Sequence, residues 1–80
     1  MKNFEKKLIK ILSQVLKVKE SKINKNTNHN DIESWDSLQQ LNLISALEVE
    51  FDIEISVEEA SEMLSYKIIS QIIKEKRKND

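Results

Sequence analysis

Not one of the 80 residues is Gly, Pro or Cys. The Gly-rich loops that cradle phosphates are therefore excluded. Tight turns fall instead to Asn, which tolerates left-handed and turn conformations. Without Cys there are no disulfides, no thiolate metal sites and no nucleophilic thiol of the protein's own. Any sulfur nucleophile has to be attached.

Eighty residues, 39% of them hydrophobic and 34% charged, make one small domain spanning 1–80. The longest apolar runs are only a few residues, which excludes a membrane span, and the start of the chain lacks the apolar stretch and cleavage site of a secretory signal. A cytoplasmic monomer is the expectation. The formal net charge of −1 argues against a nucleic-acid binder driven by bulk charge, but it conceals a segregation. Residues 1–30 hold eight Lys against Glu5 and Glu20, a balance of +6. Residues 31–62 hold ten acids and no Lys or Arg (−10), and residues 63–80 hold four Lys and Arg77 against Glu75 and Asp80 (+3). A wholly acidic middle between two basic ends points to an electrostatic face.

Phe4, Leu8, Ile11, Leu12, Val15 and Leu16 recur at the spacing of one helix face, which predicts an amphipathic helix over Asn3 to Val18. A polar stretch from Lys19 to Trp35 follows, carrying Asn24, Asn26, Asn28 and Asn30. A loop this long inside a compact domain is functional or pinned, and Ile23 and Ile32 are its expected pins. Asp36 can cap a second helix, with Gln39 completing a capping box, from Ser37 to Glu50 or Phe51. Ser56-Val57-Glu58-Glu59 offers another capping box for a short helix through Met63. Ser65 can cap a last helix with the stripe Ile68, Ile69, Ile72 and Ile73. The fold expected is all-α: a small four-helix bundle with a short third helix around one Leu/Ile core.

At about 100° per residue, Leu43, Ile44, Leu47 and Phe51 share one sector of the second helix, its core face. Leu38 falls on the opposite side with Ser45, Val49, Asn42 and Asp52, and Leu41 and Glu48 flank it. Single exposed apolar residues are ordinary, but aligned with an acidic rim these look more like a docking surface for a basic, partly apolar partner groove. Ser37 sits just after the cap, where free backbone N–H groups and the helix dipole favour an attached anion such as a phosphodiester. Ser is also common at helix starts for no further reason.

Trp35-Asp36-Ser37-Leu38, followed by Leu43-Ile44-Ser45-Ala46-Leu47-Glu48-Val49-Glu50-Phe51-Asp52-Ile53-Glu54-Ile55, resembles the signature of acyl carrier proteins and related phosphopantetheine-binding carrier domains. The resemblance covers nearly the whole chain in length, helix order and motif position. It implies that Ser37 bears a 4'-phosphopantetheine arm, transferred from coenzyme A by a Mg²⁺-dependent phosphopantetheinyl transferase. That arm supplies the thiol on which acyl or aminoacyl groups ride as thioesters between loading and transferring enzymes. It further implies that Asp36 is recognised by the transferase, that Leu38 and Leu41 contact partners, and that Glu48 belongs to the recognition helix. Leu47, Phe51, Ile55, Ala60 and Met63 either line a space for an acyl chain or simply pack the core.

Fatty-acid synthesis carriers typically have Gly-Ala before Asp-Ser-Leu and acids early in the following helix. Here Ser34-Trp35 precede the motif, Gln39 and Asn42 occupy the acidic positions, and Ser45 stands where Met is frequent. With the basic first helix, these departures imply a carrier dedicated to a specialised pathway. Trp35 either shields the attachment site and meets an enzyme, or packs over the long loop. His29 is expected to be a solvated loop side chain, since no partner residue supports a base or metal role. Asp31, Glu33 and Asp36 lack the calcium-loop pattern and are read as acidic face, so no metal site is expected. An enzyme using Ser37 would need an orienting base, and the single His has no triad partners. The competing class is a helical protein-interaction module that uses the acidic second-helix face without an arm.

Overall fold

The computed structural model describes residues 2–78. It contains four α-helices: α1 (Lys2–Leu16), α2 (Ser37–Phe51), α3 (Val57–Glu62) and α4 (Tyr66–Lys78). Two 3₁₀ turns, Glu20–Lys22 and His29–Asp31, punctuate the segment between α1 and α2. The expected all-α architecture, with three longer helices and a short third, is what forms.

The helices begin where side-chain acceptors were expected. Asp36 Oδ1 accepts the Gln39 N–H at 2.9 Å, and Ser65 Oγ accepts the Ile68 N–H at 3.2 Å. Ser56 and Glu59 form the full reciprocal box. At α2 the box is only half made, because the Asp36 N–H donates to Ser34 O instead and the Gln39 side chain accepts from Asn42.

The first helix ends earlier than expected and the second where expected. α1 stops at Leu16 rather than Val18, because Lys17 turns left-handed (φ 59°) and the Val18 N–H closes back on Ser13 O at 3.2 Å. α2 ends the same way: Asp52 takes φ 54° and the Ile53 N–H returns to Glu48 O at 3.2 Å. These are Schellman closures made without Gly. Among the described residues only Lys17 and Asp52 are left-handed. The Asn residues act instead through their side chains, Asn24 Oδ1 accepting from the Asn26 N–H and Asn28 Oδ1 from the Asn30 N–H.

The core takes Phe4, Leu8, Ile11, Leu12 and Leu16 from α1, Leu43, Ile44, Leu47 and Phe51 from α2, and Ile69 and Ile73 from α4. Val15 and Ile72 are half-buried, and Ile68 lies outside. Ile23 and Ile32 pin the long segment as expected, joined by Thr27 and Trp35. A short antiparallel bridge ties Asn28 to Ser65, with the Tyr66 N–H donating to Thr27 O and the His29 N–H to Leu64 O, both at 2.8 Å.

Folding also brings the segregated charges together. Lys7 pairs with Glu50 at 3.3 Å and Lys76 with Glu59 at 2.8 Å. Lys7, Lys74 and Arg77 stand over the Phe4–Phe51 ring pair, 5.4 to 5.8 Å from the ring centroids. The basic ends therefore gather where α2 finishes. Asp31, Glu33 and Asp36 lie at or before its start.

Candidate functional site

α2 begins at the end of the long segment, and three anchors set that junction. Ser34 Oγ donates to Leu16 O at 2.6 Å. Trp35, 6% exposed, buries its indole in the core while Nε1–H donates to Gln40 Oε1 at 2.6 Å. Gln40 Nε2 then donates to Ala60 O at 2.9 Å and Met63 O at 3.0 Å, at the end of α3. Asp36 completes the junction by capping the helix.

Ser37 is the exposed first residue of α2. As helix geometry requires, the N–H groups of the first turn have no intrahelical acceptor, and the positive end of the helix dipole coincides with them. Beside Ser37 opens a groove of about 440 Å³ lined by His29, Trp35, Asp36, Gln40, Leu41 and Leu64. With the Gln39 N–H taken by Asp36, the exposed Ser37 hydroxyl, the N–H groups of Ser37 and Leu38 and an adjoining groove with apolar walls could hold a phosphodiester-linked arm: the donors suit a phosphate and the walls aliphatic stretches.

Leu38 and Leu41 flank Ser37 and are 63% and 67% exposed. Glu48 and Asp52 are placed differently. The helical wheel groups Asp52 with Leu38, yet a rise of about 1.5 Å per residue separates them by about 21 Å along α2. Asp52 is the left-handed cap of α2. One oxygen of Glu48, Oε2, accepts the Ile55 N–H at 2.9 Å and so anchors the connection into α3.

His29 is not the solvated side chain expected. It is half-buried, and its Nδ1 lies 3.2 Å from Leu64 O, within hydrogen-bond reach. Asp31 likewise has a local task, its Oδ2 accepting the Asn28 N–H at 3.0 Å. Among the described residues no group of His, Asp and Glu is arranged to hold a metal ion, and no helix is long and apolar enough to cross a membrane. Gln40 was missed in the sequence, where a lone Gln on a helix flank carries no signal. Its partners lie 20 and 23 residues away.

Residues 6–74 match the family described as the phosphopantetheine attachment site. The chain belongs to this family of acyl carrier proteins. It is 49% identical over 63 residues to the acyl carrier protein of Buchnera aphidicola subsp. Schizaphis graminum (strain Sg), a match covering 79% of this chain and 80% of that one. It is 45% identical over 74 residues to that of Buchnera aphidicola subsp. Baizongia pistaciae (strain Bp), covering 92% and 95%. Its fold is similar to the solution structure of a holo acyl carrier protein from Geobacter metallireducens, with a TM-score of 0.79, 30% identity, and coverage of 89% of this chain and 82% of that one. This carrier is therefore not an enzyme, and its cofactor is a covalently attached phosphopantetheine.

Proposed function

We propose that Ser37 Oγ is the atom that bears the 4'-phosphopantetheine arm, and that the carrier serves a specialised biosynthetic pathway rather than housekeeping fatty-acid synthesis. The observation that carries the first part is the placement of Ser37: exposed, directly after the Asp36 cap, at the mouth of the groove. The arm ends in the thiol that this Cys-free chain lacks, and it holds acyl or aminoacyl groups as thioesters. The chain's own residues cap the helix, orient the attachment serine and present Leu38 and Leu41 beside it to partner enzymes with basic docking patches. The pathway reading draws on Gln39 and Asn42 at positions where fatty-acid carriers have acids, on Trp35, and on the basic α1.

The test is incubation with coenzyme A, Mg²⁺ and a permissive phosphopantetheinyl transferase, read by intact mass. One phosphopantetheine is expected on the wild-type chain and none on Ser37→Ala. Unchanged modification of Ser37→Ala, or no modification of wild type by several transferases, overturns the assignment. Carrier isolated from its native cell reveals the cargo as an intact thioester. A ladder of fatty-acid elongation intermediates there would overturn the specialised reading.

A further inference from the structure

We propose that the solvent face of α1 is a cationic ridge that seats this carrier reversibly on anionic lipid headgroups while Ser37 stays free. The proposal goes beyond the attachment reading and does not depend on it.

α1 commits one side wholly to the core, where Leu8, Leu12 and Leu16 are 0%, 1% and 0% exposed. At about 100° per residue, Lys6, Lys10 and Lys17 fall within about 20° of the line opposite Leu8, and all three are exposed. A rise of about 1.5 Å per residue spreads them along about 17 Å. Asn3, Lys7 and Gln14 stand beside this line, and with Lys6 and Lys10 they border a groove of about 560 Å³. The acid at its edge, Glu50, is paired with Lys7 at 3.3 Å. Among the described residues Lys6, Lys10 and Lys17 form no ion pair. Folding therefore neutralises the α2 end of this face and leaves the ridge charged.

The composition of the ridge selects its partner. Protein interfaces centre on buried apolar and aromatic side chains and are poor in Lys. The exposed side chains here are Lys, Asn and Gln, with no apolar anchor and no Arg. A defined carboxylate is best met by the planar fork of Arg, whereas Lys offers a compact hydrated charge on a flexible stem. Such charges in a row suit a plane of mobile phosphate headgroups, each lysine near the surface raising partitioning about fivefold. Association of that kind is reversible and salt-sensitive, since nothing on the ridge inserts into the acyl layer. The groove beside Ser37 shares no residue with the one along the ridge, so a carrier seated on α1 keeps its attachment site uncovered.

The experiment sediments the whole chain with vesicles of phosphatidylglycerol mixed with phosphatidylcholine, or of phosphatidylcholine alone. Binding is expected to the anionic vesicles only. It is expected to fall as ionic strength rises from about 0.01 M to about 0.15 M and the screening length shrinks from about 30 Å to about 8 Å. The double variant Lys6→Gln/Lys10→Gln is expected to lose about 25-fold in partitioning at unchanged helicity. Lys25→Gln/Lys67→Gln removes the same charge elsewhere, Lys25 bordering a separate groove with Glu5 and Tyr66 and Lys67 lying exposed on α4; this pair is expected to bind as wild type does. No binding to anionic vesicles at the lower ionic strength, equal binding to phosphatidylcholine, or equal losses in the two pairs overturns the proposal. Retention on immobilised polyglutamate without binding to vesicles would give the ridge to an acidic protein and overturn it as well.

Discussion

The Trp35 indole and the Gln40 side-chain amide meet at 2.6 Å, and through them the last residues of the long segment are joined to the end of α3. The bond is partly buried, so neither partner has water as an equal substitute. Trp35→Phe removes the donor, keeps most of the packing and leaves Gln40 Oε1 unsatisfied. Urea denaturation followed by circular dichroism is expected to show a loss of about 1 to 3 kcal/mol.

Asp36 joins two tasks that substitution can separate. Asp36→Ala removes the cap and is expected to cost about 1 kcal/mol of stability, whereas Asp36→Asn keeps a capping oxygen and is expected to cost little. If the transferase recognises the charge, both variants accept phosphopantetheine more slowly than wild type. An Asp36→Asn protein modified at the wild-type rate would confine this residue to capping.

Leu38 and Leu41 are exposed enough that Leu38→Ala and Leu41→Ala are expected to move stability by less than about 0.5 kcal/mol, while slowing transfer to partner enzymes. Glu48 requires a gentler change. Glu48→Lys would strip the Ile55 N–H of its acceptor and confound docking with folding, so Glu48→Gln is the informative variant: it keeps an acceptor and removes the charge. Slower transfer by Glu48→Gln at unchanged urea midpoint would assign the charge to docking.

The Lys76 ammonium hydrogen-bonded to Glu59, aided by the Ser56 N–H, holds this carboxyl below its usual 4.5. Because the folded value is depressed, the associated stability is fully present above the unfolded value and is lost as pH falls through the folded one. Glu59→Gln is therefore expected to flatten the acid limb of the stability profile below about pH 5. The ion pair is substantially solvated, which limits its share to about 1 kcal/mol or less. An acid limb unchanged in Glu59→Gln would remove the pair from the pH response.

Lys17 occupies a left-handed cap at a steric cost that Gly avoids. Lys17→Gly is expected to raise stability by about 0.5 to 1 kcal/mol, seen as a higher urea midpoint. A lower midpoint would mean that the lysine stem contributes more packing than its backbone costs.

What could be read in advance was whatever depends on neighbours in sequence. The stripes of α1 and α2, the Asp36 and Ser56 caps and the pinning role of Ile23 and Ile32 follow from period and composition, and all of them form. The motif around Ser37 was legible for the same reason. Hidden were the features decided by groups far apart in the chain: the Gln40 amide reaching Ala60 and Met63, His29 meeting Leu64, and Thr27 buried beneath the Tyr66 N–H. Lys17 and Asp52 were hidden for another reason. Nothing in a Lys announces a left-handed cap, and of the four Asn, which looked better suited to it, Asn24 and Asn28 serve their segment through side-chain turns instead.

Trp35 is the chain's single tryptophan, and it forms part of the wall beside Ser37. Excited at the red edge of its absorption, where Tyr66 contributes little, it makes ultraviolet emission from the unlabelled protein originate at one spot, the very place where the arm is expected to be attached. Loading, hand-over and release become observable in real time as changes in intensity or wavelength, with no dye attached and no competing fluorophore of the same kind to subtract.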